Sequence, residues 1–360
     1  MADDGNVVDS GQIYKLSSEY ALDSNDEQVW QQLNTVRSFP EGKRNCYTLK
    51  PKQGKNNNFL VRVYYKYGNY DYNNSAPVFQ FHLGVNFWTR SGNNSDLRRM
   101  EAIRVSRTNK VDVCRINIGR GIPFISLLQL WPLKDSIYPN DSDFSPLGLM
   151  TRSSWGTSKA DYTFITYPDD IYDSSWFLRR EIENSEPITT SVPIDGDVSN
   201  YKLPRKVLGT AIRSRNGSSS LVIELDYSTD YEYFVYLHFY DFEEHSQDQQ
   251  RKMEITFTDT IRENITLQYR VLKTMVRRIP KGEYLSNISI TSTPDSGLPP
   301  MINALEIYRV LAQSDSPTQE GDGKNLSSSK VTGQINTSFS DLISLESLDL
   351  SNNQLTGRKT

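Results

Sequence analysis

Apolar and aromatic residues alternate with polar ones in runs of strand length along most of the chain. Phe59–Tyr67, Val78–Leu83, Ala102–Val105, Val111–Ile118, Leu221–Leu225, Tyr233–Phe239, Met253–Phe257 and Ile288–Ile290 are predicted strands. Polar turn clusters separate them, such as Gly68-Asn69, Asn73-Asn74-Ser75 and Ser91-Gly92-Asn93-Asn94. Long helical periodicity is absent, and the pattern predicts one short helix around Asp26–Leu33. The fold class is therefore mainly β.

The pattern also repeats itself. Phe59–Tyr67 aligns with Tyr233–Asp241, and Phe79–Leu83 with Met253–Phe257, both at an offset of 174 (233 − 59 and 253 − 79). Pro123–Trp131 aligns with Pro300–Tyr308 at 177 (300 − 123). Three ordered blocks at nearly one spacing predict duplication of one β-domain. Each copy is expected to bury one face of its strands, with Phe79 and Phe81 inward and His82 on the opposite side. Residues 311–324 are polar and rich in Gly, Ser and Pro, as a linker is. Beyond it Leu326, Val331 and Gly333 recur 24 residues later as Leu350, Leu355 and Gly357 (350 − 326 = 24). With Leu345, Leu348 and Asn353, residues 325–360 read as partial leucine-rich repeats. About one and a half repeats bury little on their own, so Leu342, Leu345, Leu348, Leu350 and Leu355 are expected in a mobile or loosely docked tail.

Composition narrows the function classes. The 360 residues suffice for two domains, and 21 Tyr, 14 Phe and 5 Trp supply large buried area. A net charge of −4 gives no electrostatic basis for nucleic-acid binding. Eight Asn-x-Ser/Thr triplets, at Asn73, Asn93, Asn140, Asn216, Asn264, Asn287, Asn325 and Asn336, are glycan acceptors if the protein is secreted. No stretch has the length and apolarity of a membrane span or a signal peptide. Two cysteines, Cys46 and Cys114, are either paired in an oxidising compartment or left as separate thiols.

Four segments carry a family resemblance. Val36–Leu49, Tyr67–Asp71, Gly121–Ser126 and Tyr167–Asp173 resemble, in order, signatures of plant malectin-like receptor kinases with leucine-rich repeats. Leu348–Gly357 sits where such receptors carry their repeats. The resemblance implies two tandem malectin-like, jelly-roll-like β-sandwiches: one at 7–133 that lacks the family's opening strand, and one at 150–310. It also implies an ectodomain on the outer side of the plasma membrane that recognises a glycan, a peptide or a co-receptor. The chain carries no kinase motif, so the expected product is a non-catalytic recognition module without cofactor.

Sugar binding needs aromatic faces beside planar polar groups. Tyr67, Asn69, Tyr70, Asp71 and Tyr72 bring that mixture into one turn, and His238, Tyr240 and Asp241, with Glu243, hold the equivalent place in the second copy. The alternative is that Tyr67 and Tyr70 pack beneath their loop and the second set ends a solvated strand. Asp169 and Asp170 are adjacent carboxylates, but neighbours on an extended chain point apart, which suits structure better than acid–base chemistry. His82, His238 and His245 lack metal-ligand spacing. Two other functions stay open: a protein-interaction scaffold that touches no sugar, and a β-sandwich carbohydrate-active enzyme, which requires two facing carboxylates.

Overall fold

A computed structural model describes residues 11–20, 33–92, 96–106, 108–133, 138, 145–156, 164–165, 169–172, 174–179, 182–194, 201–216, 220–244, 246 and 249–311. The backbone is also described for 323–325, 332–334, 347–349 and 354–356. The chain divides into two compact units. The first runs to Leu133 and includes Asn140–Pro146 and the segment from Leu311; the second comprises Lys134–Pro139 and Leu147–Val310.

The first unit contains β1 (Gln12–Lys15), β2 (Thr35–Ser38), β3 (Arg44–Leu49), β4 (Asn58–Tyr65) and β5 (Val78–Leu83). It continues with β6 (Asn86–Arg90), β7 (Arg98–Val105), β8 (Val111–Arg120), β9 (Phe124–Ile125) and β10 (Leu127–Pro132). Within it the pairing orders are β1-β2-β9, β3-β8-β5-β6 and β10-β4-β7, all antiparallel. Phe59, Val61, Val63 and Tyr65 of β4 and Phe79, Phe81 and Leu83 of β5 meet in one core, so two sheets face each other across it.

The second unit contains β11 (Leu147–Trp155), β12 (Phe164–Ile165), β13 (Trp176–Arg179), β14 (Ser185–Thr189), α1 (Arg205–Leu208) and β15 (Thr210–Ser214). Then come β16 (Leu221–Tyr227), β17 (Tyr233–Tyr240), β18 (Arg251–Thr256) and β19 (Arg262–Leu267). The unit closes with β20 (Leu272–Ile279), β21 (Leu285–Ser292), β22 (Met301–Ile302) and β23 (Ala304–Val310). Its orders are β14-β15-β22, β16-β21-β18-β19 and β23-β17-β20. Strand for strand these repeat the three orders of the first unit. Outside β23 the second unit adds β11, with β13 parallel to it. Its core draws Val235, Leu237 and Phe239 from one sheet and Ile223, Ile255 and Ile290 from the other.

All eight predicted runs coincide with strands, but three details change. The expectation that each strand buries one face fails for β4 and β17, in which every residue is buried. Polar networks occupy their second faces. In the first unit Arg62 bonds Glu101 at 2.7 Å and Gln129 at 3.0 Å. In the second unit Glu306 accepts from Arg152 Nε at 2.9 Å, Tyr308 at 2.6 Å and Tyr138 at 3.3 Å, and meets His238 Nε2 at 3.3 Å. His82 faces away from the core yet is itself buried, with Nε2 3.1 Å from Gln80 Oε1. Strand β4 stops at Tyr65 because Lys66 N turns to the Ser126 hydroxyl at 3.1 Å.

The predicted helix at Asp26–Leu33 lies, except for Leu33, outside the described residues. So does most of the tail. There β24 (Gly323–Asn325) pairs in parallel with β26 (Ser347–Asp349), and β25 (Thr332–Gln334) with β27 (Gln354–Thr356). Gly323 and Lys324, read as linker from composition, are thus the start of a strand.

Candidate recognition site

After β4 the chain reverses through Gly68 (φ 50°) and Asn69 (φ 47°), both left-handed. A Cβ at Gly68 would stand 2.7 Å from Leu16 Cδ2, so the turn is also closely packed. Asn69 holds it: its Oδ1 accepts the Asn74 amide at 2.9 Å and its Nδ2 donates to Asn74 Oδ1 at 2.7 Å. The reversal drives Tyr67 and Tyr70 inward, with ring centroids 6.2 and 5.4 Å from Phe124. Both tyrosines are buried, as is Asn69. Burial, reinforced by a short hydrogen bond to Asp71, pushes the Tyr67 hydroxyl far above its ordinary pKa. Burial likewise raises Tyr70 to about 12. Of the five residues only Tyr72 is well exposed, at 76%, with Asp71 half-buried beside it.

In the second unit His238, Tyr240 and Asp241 are all buried. His238 Nδ1 lies 2.9 Å from the Thr274 hydroxyl, and Asp241 accepts from Arg251 Nε at 2.9 Å. These residues build the interior. Asp170 is buried too: it accepts the amides of Tyr172 (2.8 Å) and Ser174 (3.1 Å) and the Trp176 indole (2.8 Å). Burial raises its pKa. Asp169 pairs instead with Lys206 at 2.6 Å. The two carboxylates serve separate local structures.

Cys46 and Cys114 stand directly opposite each other on β3 and β8 and are joined in a disulfide. Arg44 lies 3.3 Å from both sulfurs. Of the acceptor asparagines, Asn73, Asn216, Asn264 and Asn287 are exposed, while Asn93, Asn140 and Asn336 lie outside the described residues and Asn325 is described in backbone only. His245 also lies outside them. Among the described residues no three His, Cys, Asp or Glu side chains cluster as a metal site.

A cavity of about 370 Å³ opens in the second unit. Buried Trp155, the last residue of β11, and buried Ile223 line it, and Arg179 of β13 is Trp155's register partner. One wall is the turn Ile182–Asn184, pinned by the Ser185 hydroxyl, which donates to Ile182 O at 2.6 Å and accepts Ile182 N at 3.0 Å. Asn184 takes a left-handed φ of 58°, and its neighbour Glu183 is exposed. The other wall is β16 from Ser220 to Glu224. Sequence reasoning missed this cavity because its walls come from four segments spread over 70 residues (224 − 155 + 1), none with a local motif.

Antiparallel sheets packed face to face across apolar cores make this a β-sandwich protein. The malectin-like domain family matches residues 1–310, and the chain belongs to it. A probable LRR receptor-like serine/threonine-protein kinase of Arabidopsis thaliana is 35% identical over 310 residues, 84% of this chain and 36% of the relative. Another from the same plant is 33% identical over 351 residues, 94% of this chain and 38% of the relative. The chain thus spans little more than a third of the length of these curated relatives. The ANXUR2 extracellular domain of Arabidopsis thaliana superposes with a TM-score of 0.67 at 14% identity, covering 84% of this chain and 89% of that one. The complex of plant peptide RALF23 with FER and LLG2 contains a chain that superposes at 0.65 and 15% identity, covering 86% and 90%. Both share its fold.

Proposed function

We propose that this chain is the non-catalytic recognition part of a receptor-like kinase, and that it holds a peptide or a partner ectodomain on the extracellular side of the plasma membrane. One observation carries the reading: the cavity beside β16 is open and polar-walled, whereas Tyr67 and Tyr70, which a sugar face would need, lie in the core. A protein of the same fold assembles with a plant peptide in the RALF23–FER–LLG2 complex, which is consistent with this choice of ligand class. In this reading the two units are tandem malectin-like sandwiches from one duplicated domain, at 7–133 and 150–310. The parallel strand pairs after Gly323 are then successive turns of a leucine-rich repeat. Asn73, Asn216, Asn264 and Asn287 are its accessible glycan acceptors.

A second reading, glycan binding, draws on exposed Tyr72 beside Asp71. The test is surface binding with the full chain immobilised, presenting secreted plant peptides and receptor ectodomains in one series and cell-wall oligosaccharides in the other. Saturable binding in the first series is expected. Saturable oligosaccharide binding that Tyr72→Ala abolishes, with silence in the first series, overturns the reading.

A further inference from the structure

Strand β16 ends its sheet. It pairs with β21, and among the described residues no strand pairs with its other side. An edge strand offers a row of backbone donors and acceptors, and proteins ordinarily blunt such edges with lysine, proline or bulges. Leu221–Tyr227, reading Leu-Val-Ile-Glu-Leu-Asp-Tyr, contains neither lysine nor proline. Its ladder with β21 is regular from Leu221 to Glu224 and irregular only beyond. The regular stretch is the part that walls the 370 Å³ cavity.

The side chains around it select a partner. Glu224 and Glu183 line the cavity, and neither carboxylate makes an ion pair or hydrogen bond among the described residues. Arg179 lines it as well, its Nε donating to Ser153 at 3.1 Å and its guanidinium meeting no acid among those residues. Two carboxylates against one guanidinium favour a net basic occupant. A second copy paired through the same edge would bring Glu224 and Asp226 towards their own counterparts, which like-charge repulsion disfavours. On the edge of a strand, alternate residues of an added chain point the same way, about 7 Å apart. Lysine or arginine at every second position would therefore reach the carboxylates while the backbone pairs with β16.

We infer that the β16 edge and its cavity bind an extended, basic peptide segment as an added strand, through backbone pairing at Leu221–Glu224 and ion pairs to Glu183 and Glu224. The inference rests on the recognition-module reading and gives it a place and a ligand chemistry.

The experiment uses the full chain and a short, fluorescently labelled peptide alternating lysine with valine and threonine. Its glutamate counterpart is the charge control. Two further versions carry N-methyl groups on alternate amides, one set for each edge of the peptide. The basic peptide should bind about tenfold more tightly than the acidic one, the discrimination that two exposed ion pairs supply. One N-methyl set should abolish binding and the other should leave it, since only one edge faces β16. A Glu183→Lys/Glu224→Lys variant with an unchanged melting temperature should reverse the charge preference. Equal binding of basic and acidic peptides, equal effects of the two N-methyl sets, or no binding of any peptide overturns the inference. A chain that ignores every peptide yet still captures a receptor ectodomain leaves the broader reading standing and removes only this site.

Discussion

Replacing Glu306 by Gln removes a buried negative charge from the network under β17, β23 and β11. Glu306 is almost wholly buried and accepts from Arg152, Tyr308 and Tyr138, with His238 against its other oxygen. Burial by itself would raise its pKa, but Arg152, His238 and Tyr308 outweigh it and hold the carboxyl near 2 instead of the ordinary 4.5. At about 1.4 kcal/mol per tenfold change in proton affinity, that difference corresponds to about 3 kcal/mol. An independent figure agrees: stranding one member of a buried ion pair costs about 3–5 kcal/mol. The second unit should then melt about 6–12 °C lower in Glu306→Gln, measured by calorimetry at neutral pH. Because the folded pKa lies below the unfolded one, this stabilisation is complete above about pH 4.5 and fades as pH falls towards 2. The wild-type and variant melting temperatures should therefore converge on acidification. A shift below about 2 °C at neutral pH, or one that is the same at low pH, would refute the account of Glu306 as an ionised buried anchor.

Three more outcomes are expected. Gly156→Ala should cost more than about 3 kcal/mol, because φ is +94° and the new Cβ would stand 2.3 Å from the Ala211 backbone. Gly282→Ala, at φ +100° with open space around it, should cost only the backbone strain of about 1–2 kcal/mol, and chemical denaturation separates the two. Cys46→Ser/Cys114→Ser opens a cross-link between residues 68 apart and should destabilise the first unit by about 4 kcal/mol, read from its calorimetric transition. Secreted from plant cells, the chain should carry glycans at Asn73, Asn216, Asn264 and Asn287, seen as mass shifts that vanish on enzymatic deglycosylation and in the matching Asn→Gln variants.

Strand positions were legible because period-2 alternation is local: a residue's face follows from its neighbours two places away. Matching patterns in the sequence fall on strands that hold matching places in the sheet orders, as β4 and β17 do. Buried second faces were not, because Arg62 and His238 look like solvent-facing residues until Glu101, Gln129 and Glu306 arrive from strands 39 to 68 positions away. The candidate sites show the limit most clearly. Sequence alone put Tyr67, Asn69, Tyr70, Asp71 and Tyr72 in one turn, and left open whether they faced ligand or core. Tertiary structure decided it: left-handed Gly68 and Asn69 fold the tyrosines onto Phe124, which no local pattern announces. It likewise set Cys46 opposite Cys114 and brought Trp155, Arg179, Glu183 and Glu224 around one cavity. Alternation encodes which way a side chain points along its own strand; what it then meets depends on the pairing of distant strands, and that is a property of the folded chain.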